Sequence, residues 1–113
     1  MKEQKKIFLQ VKLPEEIVSW IDFSAAEKVL KRGPTCRMIL LEALASVHET
    51  ELKQLQFVFS HKLNAGSIVV AFEIPEQINR KLLELCNYFP VSKKKLAEIL
   101  ICQRVEKERK REV

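Results

Sequence analysis

Apolar residues recur at every second position in Lys6–Leu13, where Ile7, Leu9, Val11 and Leu13 share one side. That period predicts a half-buried β-strand. Sixty-one residues later the pattern returns in Ser67–Ile74, with Ile68, Val70, Phe72 and Ile74 in the corresponding places. Both stretches run into Pro-Glu and then an isoleucine, at Pro14-Glu15 with Ile17 and at Pro75-Glu76 with Ile78. A proline there suits the first turn of a helix, where its missing N–H is not needed.

Helical periodicity follows each proline. Ile17, Ile21, Ala25 and Val29 form one stripe, flanked by Trp20 and Leu30; Ile78, Leu82, Leu85, Cys86 and Phe89 form another. Gly33-Pro34 and Pro90 are the predicted stops. Thr35 then reads as the cap of a second helix bearing Ile39, Leu40, Ala43, Leu44 and Val47. Ser92 reads as the cap of another, bearing Leu96, Ala97, Leu100 and Ile101. Two strand–helix–helix units therefore stand in tandem, over 6–52 and 67–113 of a single domain, and the fold class is α+β, mainly α. The intervening 53–66 holds Leu55-Gln56-Phe57-Val58-Phe59-Ser60 and the turn signal Asn64-Ala65-Gly66. It reads either as an additional strand, near 55–60, or as an extended linker packing Phe57 and Phe59 on the core.

Composition sharpens this picture. The chain has 113 residues, a size that folds as one domain. Its 47% apolar content argues against disorder, and no apolar run approaches the roughly 18 residues of a membrane span. The charged start, Met1 to Lys6, reaches Pro14 too soon for a signal peptide. Cys36, Cys86 and Cys102 are widely spaced in apolar surroundings and read as small core residues of a cytoplasmic protein. With His48 and His61 they lack the ligand spacing of a zinc site, so no metal or other cofactor is expected. Twenty basic against fifteen acidic residues give +5, a balance that leans toward nucleic acid. Only two glycines are present, no phosphate loop can be built from them, and no nucleophile–base grouping stands out. Neither an enzyme nor a small-molecule substrate is expected.

The alternating strand, Leu13-Pro14-Glu15-Glu16-Ile17, the amphipathic helix, Gly33-Pro34-Thr35 and Arg37–Leu44 together resemble the ribbon-helix-helix DNA-binding proteins, the class of the methionine and Arc repressors. Ile74-Pro75-Glu76-Gln77-Ile78 and Pro90-Val91-Ser92-Lys93-Lys94-Lys95-Leu96 carry the second copy. Two fused copies are similar to regulators of archaeal viruses, which implies host cytoplasm. The resemblance implies that the two units pair as an intramolecular pseudo-dimer, their strands forming a two-stranded antiparallel ribbon. Such a ribbon enters the major groove of double-stranded DNA, while the second helices set their N-termini on flanking phosphates. Self-association on DNA stays open.

With Ile7, Leu9, Val11 and Leu13 inward, Lys6, Phe8, Gln10 and Lys12 point out. Lys12 can donate to guanine, Gln10 can bond adenine, and Phe8 can touch a thymine methyl. These three are the candidate base contacts; Lys6, Thr35, Arg37, Ser92, Lys93 and Lys94 are the candidate phosphate contacts. The second copy turns out Ser67, Val69, Ala71 and Glu73, none of them basic. Either the ribbon reads DNA asymmetrically, or this face is covered by Leu55–Ser60 or another molecule. Arg104–Arg111 reads as a solvated helix end. Two other readings compete with a regulator: a protein-interaction module, antitoxin-like or self-assembling, and a non-specific DNA-coating protein.

Overall fold

The computed structural model describes residues 6–46, 68–87 and 91–111. Within them the order is β1 (Lys6–Leu13), α1 (Glu15–Glu27), α2 (Arg32–Ser46), β2 (Ile68–Pro75), α3 (Glu76–Cys86) and α4 (Lys93–Arg111). The architecture is α+β and mainly helical, with four helices and a two-stranded antiparallel sheet among the described residues. The stretch 55–60, read as strand or linker, lies outside them, as does Ser67.

The strands pair so that every inward residue meets an inward residue: Ile7 faces Ile74, Leu9 faces Phe72, Val11 faces Val70 and Leu13 faces Ile68. Their alternation is visible in the burial, because Leu9, Val11, Leu13, Val70, Phe72 and Ile74 are buried while the residues between them are exposed. Four helices cover that inner side. Ile17, Val18 and Ile21 of α1, Cys36, Leu40 and Leu44 of α2, Leu82 of α3, and Leu96 to Cys102 of α4 close one contiguous core. Cys36 and Cys102 sit in it as small side chains, and burial pushes both thiols up to about 12.

Helix α2 packs on β2, α4 packs on β1, and α2 packs on α4, so the two strands and the helices that follow them share one core. The helices also close the ribbon's edges, which would otherwise present bare N–H and C=O groups. At the β1 edge the backbone N–H of Lys12 donates to Glu98 Oε2 at 2.7 Å. At the β2 edge the first turn of α2 comes so near that a Cβ on Gly33 would lie 3.1 Å from the carbonyl oxygen of Ala71. Only glycine fits this approach without displacing the strand.

The link between α1 and α2 departs from expectation. Val29 was expected on the buried stripe of α1, but the helix ends at Glu27 and Val29 is 91% exposed. The N–H of Leu30 donates to the Ala25 carbonyl at 2.7 Å and that of Val29 to Ala26 at 3.2 Å. This is a Schellman ending, and it places Val29 in the left-handed region, at φ 55. Gly33-Pro34, expected as a stop, lies instead in the opening turn of α2, where the N–H that proline lacks would have had no intrahelical partner. Thr35 is therefore not the cap: its own N–H already donates to Lys31 O at 3.2 Å in helical fashion. Ser92 does cap α4, accepting from the Lys95 N–H at 3.1 Å. Arg104–Arg111 is the helix end expected, continuing α4, but it is solvated only in part, since Val105 is fully buried and Arg104 pairs with Glu42 of α2.

Candidate nucleic-acid interface

The outer side of the ribbon carries Lys6, Phe8, Gln10 and Lys12 from β1 and Val69, Ala71 and Glu73 from β2, all exposed. Phe8 stands opposite Glu73, Gln10 opposite Ala71 and Lys12 opposite Val69. Because the Lys12 N–H leaves the ribbon sideways to Glu98, the Lys12–Val69 pair is of the kind that exchanges no backbone hydrogen bonds. Alternation assigns Gln10–Ala71 and Phe8–Glu73 to the same kind, in which facing side chains stand closest. The facing side chains on the outer face therefore stand close together. Phe8, 63% exposed, and Val69, 53% exposed, have no described element over them.

One end of this face is cationic and the other mixed. Lys12 lies at the first, while at the second Lys6 Nζ is 3.9 Å from Glu73 Oε2. Glu98 matters here although it never reaches the surface. Only 6% exposed on α4, it fixes the backbone that carries Lys12. Sequence reasoning passed over Glu98, yet a signal existed: it is the sole charge in Leu96-Ala97-Glu98-Ile99-Leu100-Ile101, a stretch buried throughout. A carboxylate in such a run needs a donor.

The candidate phosphate contacts divide into two groups. Lys6, Ser92 and Lys94 are exposed, and Arg37 and Lys93 are half-buried. Lys93 Nζ donates to Asn79 Oδ1 of α3 at 2.7 Å, which holds the start of α4. Arg37 and Lys94 make no ion pair among the described residues. Thr35 falls outside this set. It is 2% exposed and its hydroxyl donates to Lys31 O at 2.8 Å, so it presents nothing to a ligand. At the opening of α2 stands Arg32 instead, held to Asp22 of α1 by two hydrogen bonds of 2.8 and 2.7 Å. The Arg32 guanidinium keeps the Asp22 carboxyl below its ordinary value.

A cavity of about 330 Å³ lies on another side of the molecule, between α1, α2 and the end of α4, with Trp20, Met38 and Arg104 in its walls. Among the described residues no group of His, Cys, Asp or Glu could hold a metal ion, and no helix is long and apolar enough to cross a membrane. No family model, curated protein or solved structure matches this chain.

Proposed function

We propose that this chain is a sequence-specific transcription regulator that binds double-stranded DNA, built as two ribbon-helix-helix units paired within one molecule. The observation that carries the reading is the outer face of a two-stranded antiparallel ribbon, over which no described element lies and whose central and cationic positions are Gln10 and Lys12. A ribbon of two strands matches the major groove, which is about 12 Å wide. Gln10 can bond adenine through both amide atoms, Lys12 can donate to guanine O6 and N7, and Phe8 can meet a thymine methyl. The core shared by the two strands and the helices that follow them supports the pairing.

Affinity comes from phosphates. The opening of α4 gathers Lys93, Lys94 and Lys95 at the positive end of its own dipole, an arrangement that disfavours cations unless an anion joins them. A phosphate against Ser92, Lys93 and Lys94 resolves the conflict; Arg37 on α2 and Lys6 on the ribbon complete the set. Binding should weaken steeply with salt.

The test is selection of bound sequences from a randomised duplex pool at near-physiological salt. An enriched motif is expected, and Gln10→Ala with Lys12→Ala should flatten it, each contact contributing about 1–3 kcal/mol of discrimination. An unchanged preference removes these two residues from the site. Lys94→Ala should instead weaken every duplex alike and lower the salt slope by about one. The exposed Phe8 and Val69 favour a second reading, a module for binding protein or a second copy. It predicts a stable complex and no enrichment.

A further inference from the structure

The register turns the divergence of the two outer faces into a statement about the DNA site, one that rests on the DNA-binding reading above. Residues 61 apart occupy corresponding places in the two strands, and Gln10 lies directly opposite its own counterpart, Ala71. A local twofold axis through that pair exchanges Phe8 with Val69 and Lys12 with Glu73. The last exchange is a reversal of chemistry. A lysine ammonium has three donors and no acceptor, whereas an ionised glutamate only accepts.

A palindromic duplex offers the same pattern of base-edge groups at positions its own dyad exchanges. Guanine O6 and N7 at such a position suit Lys12, but the same atoms at the other end meet the Glu73 carboxylate, acceptor against acceptor, with Lys6 Nζ 3.9 Å from Glu73 Oε2. An exocyclic amine of cytosine or adenine suits Glu73, but it meets the Lys12 ammonium as donor against donor. No single base-edge group suits both residues at dyad-related places. The support behind the strands is unequal in the same sense. Glu98 of α4 holds the backbone at Lys12, whereas 57 residues earlier, at the corresponding place on α2, stands Leu41, which has no group to bond a strand.

We infer that one chain occupies a non-palindromic duplex site in a single orientation, with Lys12 over guanine acceptors and Glu73 over an exocyclic amine. The centre, at Gln10 and Ala71, favours adenine on the β1 side and tolerates a methyl group on the other.

The experiment compares the intact wild-type chain with Glu73→Lys, a change at an exposed side chain, in selection from a randomised duplex pool. Binding is then measured to palindromes made by duplicating either half of the wild-type motif. The wild-type motif should lack inverted symmetry, and both palindromes should bind about tenfold more weakly or worse. Glu73→Lys should move the outer bases toward an inverted repeat and recover the palindrome built from the Lys12 half. A palindromic wild-type motif, or outer bases unmoved by Glu73→Lys, overturns the inference and leaves the regulator reading standing. Binding without any enriched motif overturns the regulator reading, and the inference falls with it.

Discussion

On its inner side the ribbon's two strands keep one character, apolar at every corresponding place: Ile7 and Ile68, Leu9 and Val70, Val11 and Phe72, Leu13 and Ile74. On its outer side they part, since Phe8, Gln10 and Lys12 correspond to Val69, Ala71 and Glu73. Burial explains the first fact, because a polar group placed there would lie without a hydrogen-bond partner. Solvent explains the second, because exposed positions accept most substitutions within about 0.5 kcal/mol. In a symmetric homodimer an outer-face change would be repeated in both strands. Here each is made once, so the two faces are independent.

The largest expected effects break the inner side. Leu13 and Ile74 occupy corresponding positions and both are fully buried. Leu13→Ala and Ile74→Ala should each cost about 2–5 kcal/mol in denaturant unfolding, whereas Gln10→Ala and Ala71→Gln should each stay within about 0.5 kcal/mol. A cost below about 1 kcal/mol at either core position would show that the two strands are not equivalent in the core.

The second effect separates the two edges. Glu98→Leu leaves the Lys12 N–H buried without an acceptor and should cost about 1–3 kcal/mol, while Glu98→Gln keeps an acceptor and should cost much less. Equal losses would place the role of Glu98 in its charge rather than in that bond.

The smallest effect has the opposite sign and compares how the first helices end. Helix α3 stops at Asn87 in an ordinary right-handed conformation, whereas α1 turns through the left-handed Val29. Val29→Gly should raise stability by about 1 kcal/mol, read as a shift of the denaturation midpoint with unchanged slope, because a β-branched residue is strained there and glycine is not. A midpoint that falls would mean that the unfolded chain's extra freedom outweighs the strain.

What was legible in the sequence follows from which forces act locally. The strands show in their period of two, and α3 and the start of α4 show in Leu82 and Ser92, because burial and capping leave marks within a few residues. The α1–α2 link was misread because its left-handed residue is a valine where glycine is the usual sign. Its Gly33-Pro34 serves the next helix and the neighbouring strand rather than ending the previous helix. Thr35 follows from the same error, since a helix that begins four residues early turns a capping hydroxyl inward. That Glu73 takes the place of Lys12 was legible in the 61-residue offset, but the register that sets Gln10 against Ala71 was not, because pairing across 61 residues is decided by the packed whole. Of the candidate base contacts, sequence alternation alone put Phe8, Gln10 and Lys12 on the outer face, and the described strands put them there too.

That both strands belong to one chain has a consequence at low copy number. A ribbon assembled from separate subunits dissolves on dilution, because its stability depends on protomer concentration. Covalent connection makes the pairing intramolecular, so it no longer depends on concentration. A cell holding only a few molecules would therefore hold only complete ribbons, their number following the number of chains in direct proportion rather than as the square.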